Sequence, residues 1–293
     1  MGDPESSNRG AAAAATAEPQ KKPMARWFRR LLFAAAVLLV AFSVGVVARG
    51  PVCWPFDFLW NLGPVVEAPE LRSADDGKVR VVFLQHGMWR TSMAMDRIER
   101  SLRHHGYEVI NTGYPSTNDY LAGHAKRLRD VVEARFARGK VDEVSFVGHS
   151  MGGVVIHEYL RRPDARQPQA CIYIATPQRG AILADKRRHW FPYKIAMGTK
   201  ASQQLATVDP IHRLPIPHGE RSGAIVGDIG EGNADIPGPD DGTVGVSEAT
   251  FEGIAAAVRV PYGHTRICVM DRVIRQILHF LARGAFAEPG KPG

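Results

Sequence analysis

Val144-Ser145-Phe146-Val147-Gly148-His149-Ser150-Met151-Gly152-Gly153 is the stretch on which the reading of this 293-residue chain turns. Val144, Phe146 and Val147 belong to a β-prone run over residues 141–147. From Met151 to Arg161 the composition suits a helix, which stops before Arg162-Pro163 because the residue ahead of a proline is pushed out of helical geometry. One serine is therefore lifted at a sharp turn between strand and helix. The Gly-x-Ser-x-Gly spacing has a steric cause, since side chains two residues either side of a strained serine would collide there. Ser150 is the candidate nucleophile, and Gly153 adds a further small residue for close helix packing.

Working outward, Val79-Arg80-Val81-Val82-Phe83-Leu84 reads as a buried strand followed at once by Gln85-His86-Gly87-Met88-Trp89. Downstream, Pro239-Asp240-Asp241-Gly242-Thr243-Val244-Gly245 lies beyond the strand-like 223–227. Residues 256–260 read as a last strand, and the loop Pro261-Tyr262-Gly263-His264 leads into an amphipathic helical stretch over 266–281. A serine hydroxyl is a poor nucleophile until a base takes its proton, and the base needs a carboxylate to orient it. Serine, acid and histidine occur here in that order.

These motifs together resemble the α/β-hydrolase superfamily, in particular its bacterial lipase-like and esterase-like branch, over roughly residues 78–283. The resemblance implies an α/β fold: a mostly parallel central sheet with helices on both faces and a cap insertion. It implies Ser150 as nucleophile, His264 as base and Asp241, the residue directly before the glycine of Asp-Gly-x-Val, as acid. It also implies that the backbone N–H groups of Met88 and Met151 hold the oxyanion, a main-chain task that leaves the methionine side chains unconstrained. Asp228, directly after a strand, is the rival acid and Asp240 a lesser one. Asp235 and Asp240 are expected to be solvated loop carboxylates. Residues 172–181 resemble the strand and Thr-Pro-x-x-Gly turn of the same branch, with Gln178 where histidine is frequent. His86 and His149 are expected to hydrogen-bond loop carbonyls and fix the turn.

The activity implied is cleavage of carboxylic esters, lipid or other apolar acyl esters, through an acyl-enzyme. Acyl transfer, or thioester or amide cleavage, would use the same residues, and a catalytically silent binding module is the alternative of a different class. No cofactor is called for. No His-x-x-x-His or Cys-x-x-Cys spacing argues for a metal.

The 45% hydrophobic content is ample for one core, and strand and helix signals alternate: strands at 79–84, 107–111, 141–147 and 170–175, helices at 92–105, 120–138 and 151–161. The expected domain spans residues 78–286. Within it, 181–221 breaks the pattern, with Trp190, Phe191, Tyr193, Ile195 and Met197 among basic residues. It reads as a cap whose apolar side chains line an acyl pocket, or as an ordinary packed insertion. Ahead of the domain, 1–30 reads as a disordered basic segment, 31–48 as a transmembrane signal anchor and 49–77 as a juxtamembrane linker. The run 31–48 holds only Leu, Phe, Ala, Val, Ser and Gly, with Lys21, Lys22, Arg26, Arg29 and Arg30 before it. That bias would send the catalytic domain across the membrane to the periplasmic side. A cleaved signal peptide starting at Met24, giving a secreted protein, is the rival. The net charge of +7 is partly this cluster, and no nucleic-acid motif accompanies it. Cys171 and Cys268 fall in predicted core elements as buried thiols, with a bridge between them as the alternative.

Overall fold

A computed structural model describes Phe33, residues 61–72 and residues 75–287. The chain divides into two units, Met1–Val44 and Gly45–Gly293. In the first, only Phe33 is described, a helical and exposed residue. The expected basic segment 1–30, the rest of the expected anchor 31–48 and residues 49–60 of the expected linker thus lie outside the described residues. Among those described, no helix is long and apolar enough to cross a membrane.

The second unit carries six parallel strands: β1 (Arg80–Gln85), β2 (Glu108–Thr112), β3 (Glu143–His149), β4 (Ala170–Ile174), β5 (Ser222–Gly227) and β6 (Ala256–Val260). Their order in the sheet is β2-β1-β3-β4-β5-β6. Parallel neighbours need crossovers, and helices supply the first three: α1 (Asp96–His104), α2 (Leu121–Phe136) and α3 (Met151–Leu160), with α7 (Asp271–Arg283) the last helix described. All five residues of β4 are buried, as expected of a strand covered on both faces. Val82, Leu84, Val147, Ile172 and Ile174 pack with Ile98 and Leu102 of α1 and with Ile274, Ile277 and Leu278 of α7. Val81, Phe83, Phe146 and Tyr173 face the other way, onto Leu121 and Leu128 of α2 and Val155 and Ile156 of α3. This alternation produces the three-layer architecture that the sequence predicts.

The connection from β1 goes one way to β2, and the next strand, β3, lies on the other side of β1. Such a reversal leaves a crevice at the carboxyl ends of the two strands, where open α/β sheets bind ligands. Gln85 pairs with Gly148, so the His86-Gly87-Met88 loop and Ser150 leave the sheet side by side.

Three boundaries differ from expectation. The helix expected at 92–105 begins with a 3-10 turn over Ser92–Met95, and the one expected at 266–281 is split at Met270, whose extended backbone separates a 3-10 turn from α7. Residues 61–72, expected within a linker, pack on the domain. Val66, Ala68 and Leu71 are buried, and the Val66 N–H donates to Ser101 Oγ at 3.1 Å. The insertion folds as α4 (Ile182–Arg187), α5 (Phe191–Met197) and α6 (Ala201–Gln204), followed by two 3-10 turns. Trp190, Phe191 and Ile195 are exposed, so these three side chains do not line an acyl pocket.

Cys171 and Cys268 are free and buried, in the cores on opposite faces of the sheet. The bridge considered between them is absent, and burial pushes the Cys171 thiol up to about 12.

Candidate active site

Ser150 sits between β3 and α3 with φ 54° and ψ −128°. A non-glycine residue there costs about 1–3 kcal/mol, so its surroundings must impose the conformation. The Ser150 N–H donates to the Ile174 carbonyl at 2.9 Å, and the Ser150 carbonyl accepts from Gly153 N–H at 3.0 Å. The glycines make room for the turn. A Cβ on Gly148 would stand 2.6 Å from the Gly153 backbone, and one on Gly152 would run into the main-chain oxygens of Gln85 and His86.

His264 Nε2 lies 2.9 Å from Ser150 Oγ, and His264 Nδ1 lies 2.7 Å from Asp241 Oδ2. With Nδ1–H donating to the carboxylate, Nε2 is free to accept the serine proton. Asp241 is 3% exposed, and its Oδ1 accepts from the N–H groups of Thr243 (2.9 Å) and Val244 (2.8 Å). Its carbonyl also accepts from His264 N–H at 2.9 Å, so Asp241 grips the histidine by backbone and side chain alike. Gly227, at the end of β5, leaves room for this, since a Cβ there would lie 2.6 Å from Asp241 Cβ.

The structure thus brings Ser150, His264 and Asp241 into one hydrogen-bonded line and leaves the rival carboxylates outside it. Asp228 accepts from Gly230 N–H and lies 3.6 Å from Arg259. Asp240 is not a solvated carboxylate as expected but fully buried. It accepts from the N–H groups of Gly232 (3.1 Å), Asn233 (3.0 Å) and Gly242 (2.5 Å), which shapes the loop presenting its neighbour. Asp235 does face solvent, pairing with Lys186 and Arg187 at 3.4 Å.

Met151 is the first residue of α3, where backbone N–H groups point out of the helix end, and its side chain is buried in the core. Met88 follows Gly87, which packs so closely that a Cβ on it would stand 2.9 Å from Ser150 Cβ. Next along, the Trp89 N–H donates to Ser116 Oγ at 3.0 Å, which fixes the loop. Met88 and Met151 therefore flank the serine. Among the described residues no three His, Cys, Asp or Glu side chains are placed to hold a metal ion.

The alpha/beta hydrolase family model matches residues 81–276, two thirds of the sequence, running from β1 into α7. The chain belongs to the alpha/beta hydrolase family. Its fold is shared by the mature lipase BlEst2 of Bacillus licheniformis, with 21% identity, a TM-score of 0.51 and coverage of 75% of this chain and 94% of that one. A metagenomic carboxyl esterase, MGS0156, is similar at 20% identity and a TM-score of 0.52, with 69% of each chain covered. The lin2722 gene product of Listeria innocua matches at 15% identity and a TM-score of 0.51, over 72% of this chain and 96% of its own. No curated protein matches the sequence.

Around the site of this α/β-hydrolase, the two flanking histidines hold backbone, as expected of them. His149 donates through Nε2–H to the His264 carbonyl at 3.1 Å, and burial holds its pKa well below the usual range, so the ring is neutral. His86 donates from Nδ1–H to the Gly87 carbonyl at 2.8 Å, and Tyr114 O–H donates to the His86 carbonyl at 2.7 Å. Burial lowers His86 to about 4 from 6.5. The fold holds the neutral ring, so this contribution is complete above pH 6.5 and is lost as pH falls through 4. His86→Asn, whose amide does not titrate, is expected to lose about 2–3 kcal/mol less stability than wild type between pH 7.5 and 4.5, read by urea unfolding at each pH. Parallel losses in the two proteins would show that His86 does not titrate across that window.

Two supporting residues carry no sequence signal. Glu248 is 9% exposed, accepting at Oε2 from Gly245 N–H and at Oε1 from Ile182 N–H, both at 2.6 Å. It ties the Asp241 loop to the start of the insertion, and burial raises its pKa. Its carbonyl accepts from Gln178 N–H at 2.8 Å, so the glutamine that departs from the family pattern braces this loop from behind. Arg90 is 7% exposed, and its Nη1 reaches the Thr265 carbonyl at 3.4 Å, beside the histidine.

Proposed function

We propose that the protein is a serine hydrolase cleaving carboxylic esters of apolar acyl groups through an acyl-enzyme. The observation that supports it most is the unbroken line from Asp241 Oδ2 through His264 to Ser150 Oγ, with both links under 3 Å. Ser150 Oγ attacks the acyl carbon as its proton passes to His264 Nε2, and Asp241 stabilises the imidazolium. The Met88 and Met151 N–H groups receive the negative charge that develops on the carbonyl oxygen, each such donor contributing about 3–4 kcal/mol. Collapse breaks the ester bond, and His264 returns its proton to the departing alcohol. Water then repeats the sequence on the acyl-Ser150, releasing the acid. The ester preference draws on the shared fold of a lipase and a carboxyl esterase, a likeness of architecture.

In this reading residues 31–48 anchor the chain and the basic residues before them stay inside, leaving the hydrolase on the outer face. The test is a series of p-nitrophenyl esters from acetate to palmitate, run alongside a serine-directed fluorophosphonate. Turnover should rise beyond acetate, and the phosphonate should label Ser150. No turnover of any ester by folded protein, or an unlabelled Ser150, would overturn the proposal.

A further inference from the structure

Segment 182–200 is pinned on both sides of the crevice that holds Ser150. At one end the Ile182 N–H is held by Glu248, which also holds the Asp241 loop. At the other end Ala201 N–H donates to the Asp119 carbonyl at 3.1 Å, and Gly198 packs against the Thr117 carbonyl. Those residues continue the loop whose Ser116 fixes Trp89, next to Met88. The segment therefore arches over the carboxyl end of the sheet.

Its outer surface is apolar and basic at once. Trp190, Phe191 and Ile195 are 61%, 72% and 53% exposed. Phe191 and Ile195 are one turn apart on α5 and share a face, with Trp190 leading into it. Lys186, Arg187, Arg188, Lys194 and Lys200 lie in residues 186–200, which contain no carboxylate. Asp235 pairs with both Lys186 and Arg187, and Lys200 lies 5.8 Å from the ring of Tyr120, another half-exposed aromatic. With Asp185, which accepts from Thr207 Oγ1, two carboxylates stand against five cations, one of them Arg188 with its Nε buried, and the surplus is positive. Large apolar side chains standing out among Lys and Arg suit a fluid acyl layer beneath phosphate headgroups, where the rings and the isoleucine enter the acyl boundary and the cations stay at the charged surface.

We propose that this face docks on an anionic lipid bilayer and turns the Ser150 crevice toward it. The inference rests on the proposed function in one respect: it makes the membrane the source of the ester. Each basic residue engaged should strengthen docking about fivefold.

The test uses full-length protein in a Cys53→Ser, Ser150→Ala background, with Phe191→Cys carrying an environment-sensitive fluorophore, since Cys171 and Cys268 are buried. Nanodiscs of phosphatidylcholine, with or without one part in about three of phosphatidylglycerol, supply the surface. Brominated lipid should quench the probe strongly in the anionic discs and several-fold less in the neutral ones. Lys186→Glu with Lys194→Glu, or half-molar salt, should remove the difference. A probe equally exposed in both discs would overturn the proposal. A probe shielded without lipid, with a doubled particle mass, would assign the face to a second copy and also overturn it. Because the readout needs no turnover, its failure is separate from that of the ester reading, which the same protein with Ser150 restored tests by hydrolysis.

Discussion

Ser150→Ala is expected to lower ester turnover by about 10⁴- to 10⁶-fold, because the nucleophile and its base act as a unit and, among the described residues, no other hydroxyl is placed on His264. Alanine keeps the Cβ, so the unusual backbone at this position is no more strained than before. The N–H bond to Ile174 and the carbonyl bond from Gly153 survive. Thermal unfolding should therefore shift little while kcat collapses and the phosphonate no longer labels. A folded Ser150→Ala protein retaining more than about one part in a hundred of wild-type turnover would contradict the mechanism.

Asp241→Asn should cost about 10⁴-fold in kcat, for a reason the hydrogen bonds make explicit. Asp241 Oδ1 faces the N–H groups of Thr243 and Val244 and can only accept. An asparagine must keep its oxygen there and turn its NH₂ toward His264 Nδ1, which forces that nitrogen to accept and puts the proton on Nε2. His264 then cannot take the proton of Ser150. The Asp241 carbonyl bond to His264 N–H remains, so the loop should hold and the folded fraction should be near normal. Asp228→Asn, by contrast, should change kcat by less than about threefold, since its partners are Gly230 and a loosely paired Arg259. Asp240→Asn is different again. All three of its donors are backbone N–H groups, so an amide NH₂ has nowhere to go, and the expected loss is in stability, about 1–3 kcal/mol. Kinetics and urea unfolding on the three variants separate these outcomes, and equal kcat losses at 228 and 241 would reassign the acid.

How much of this could be read in advance follows from how local each signal is. The Ser150 turn was legible because its glycines answer contacts within a few residues, and the β1 loop because Gln85 is in register with Gly148. The choice of Asp241 over Asp228 needed the resemblance to a family, since both carboxylates follow β5 and only the fold says which one reaches His264. Asp240 was misread as solvated because a charged residue in a Gly- and Pro-rich loop gives no sign of the three N–H groups that bury it. Glu248 was invisible: its partner Ile182 is 66 residues away, and a lone glutamate has no periodicity to reveal it. The direction of Trp190, Phe191 and Ile195 failed for a related reason, since aromatic content marks a surface without saying which side is wet. The packing of residues 61–72 depends on Ser101, Arg97 and His105, none of which is near in sequence.

The two thiols separated by the sheet have a practical consequence. Cys171 and Cys268 sit in different cores, so no bond between these two is gained or lost when the surroundings turn from reducing to oxidising. As far as this pair is concerned, the described fold is indifferent to redox poise and can be prepared in either condition without choosing a pairing between them. Each thiol is also a built-in counter of opening. A thiol reagent meets Cys171 only when the α2 and α3 layer parts from the sheet, and Cys268 only when α7 does. Their separate labelling rates would therefore report which face of the protein comes apart first.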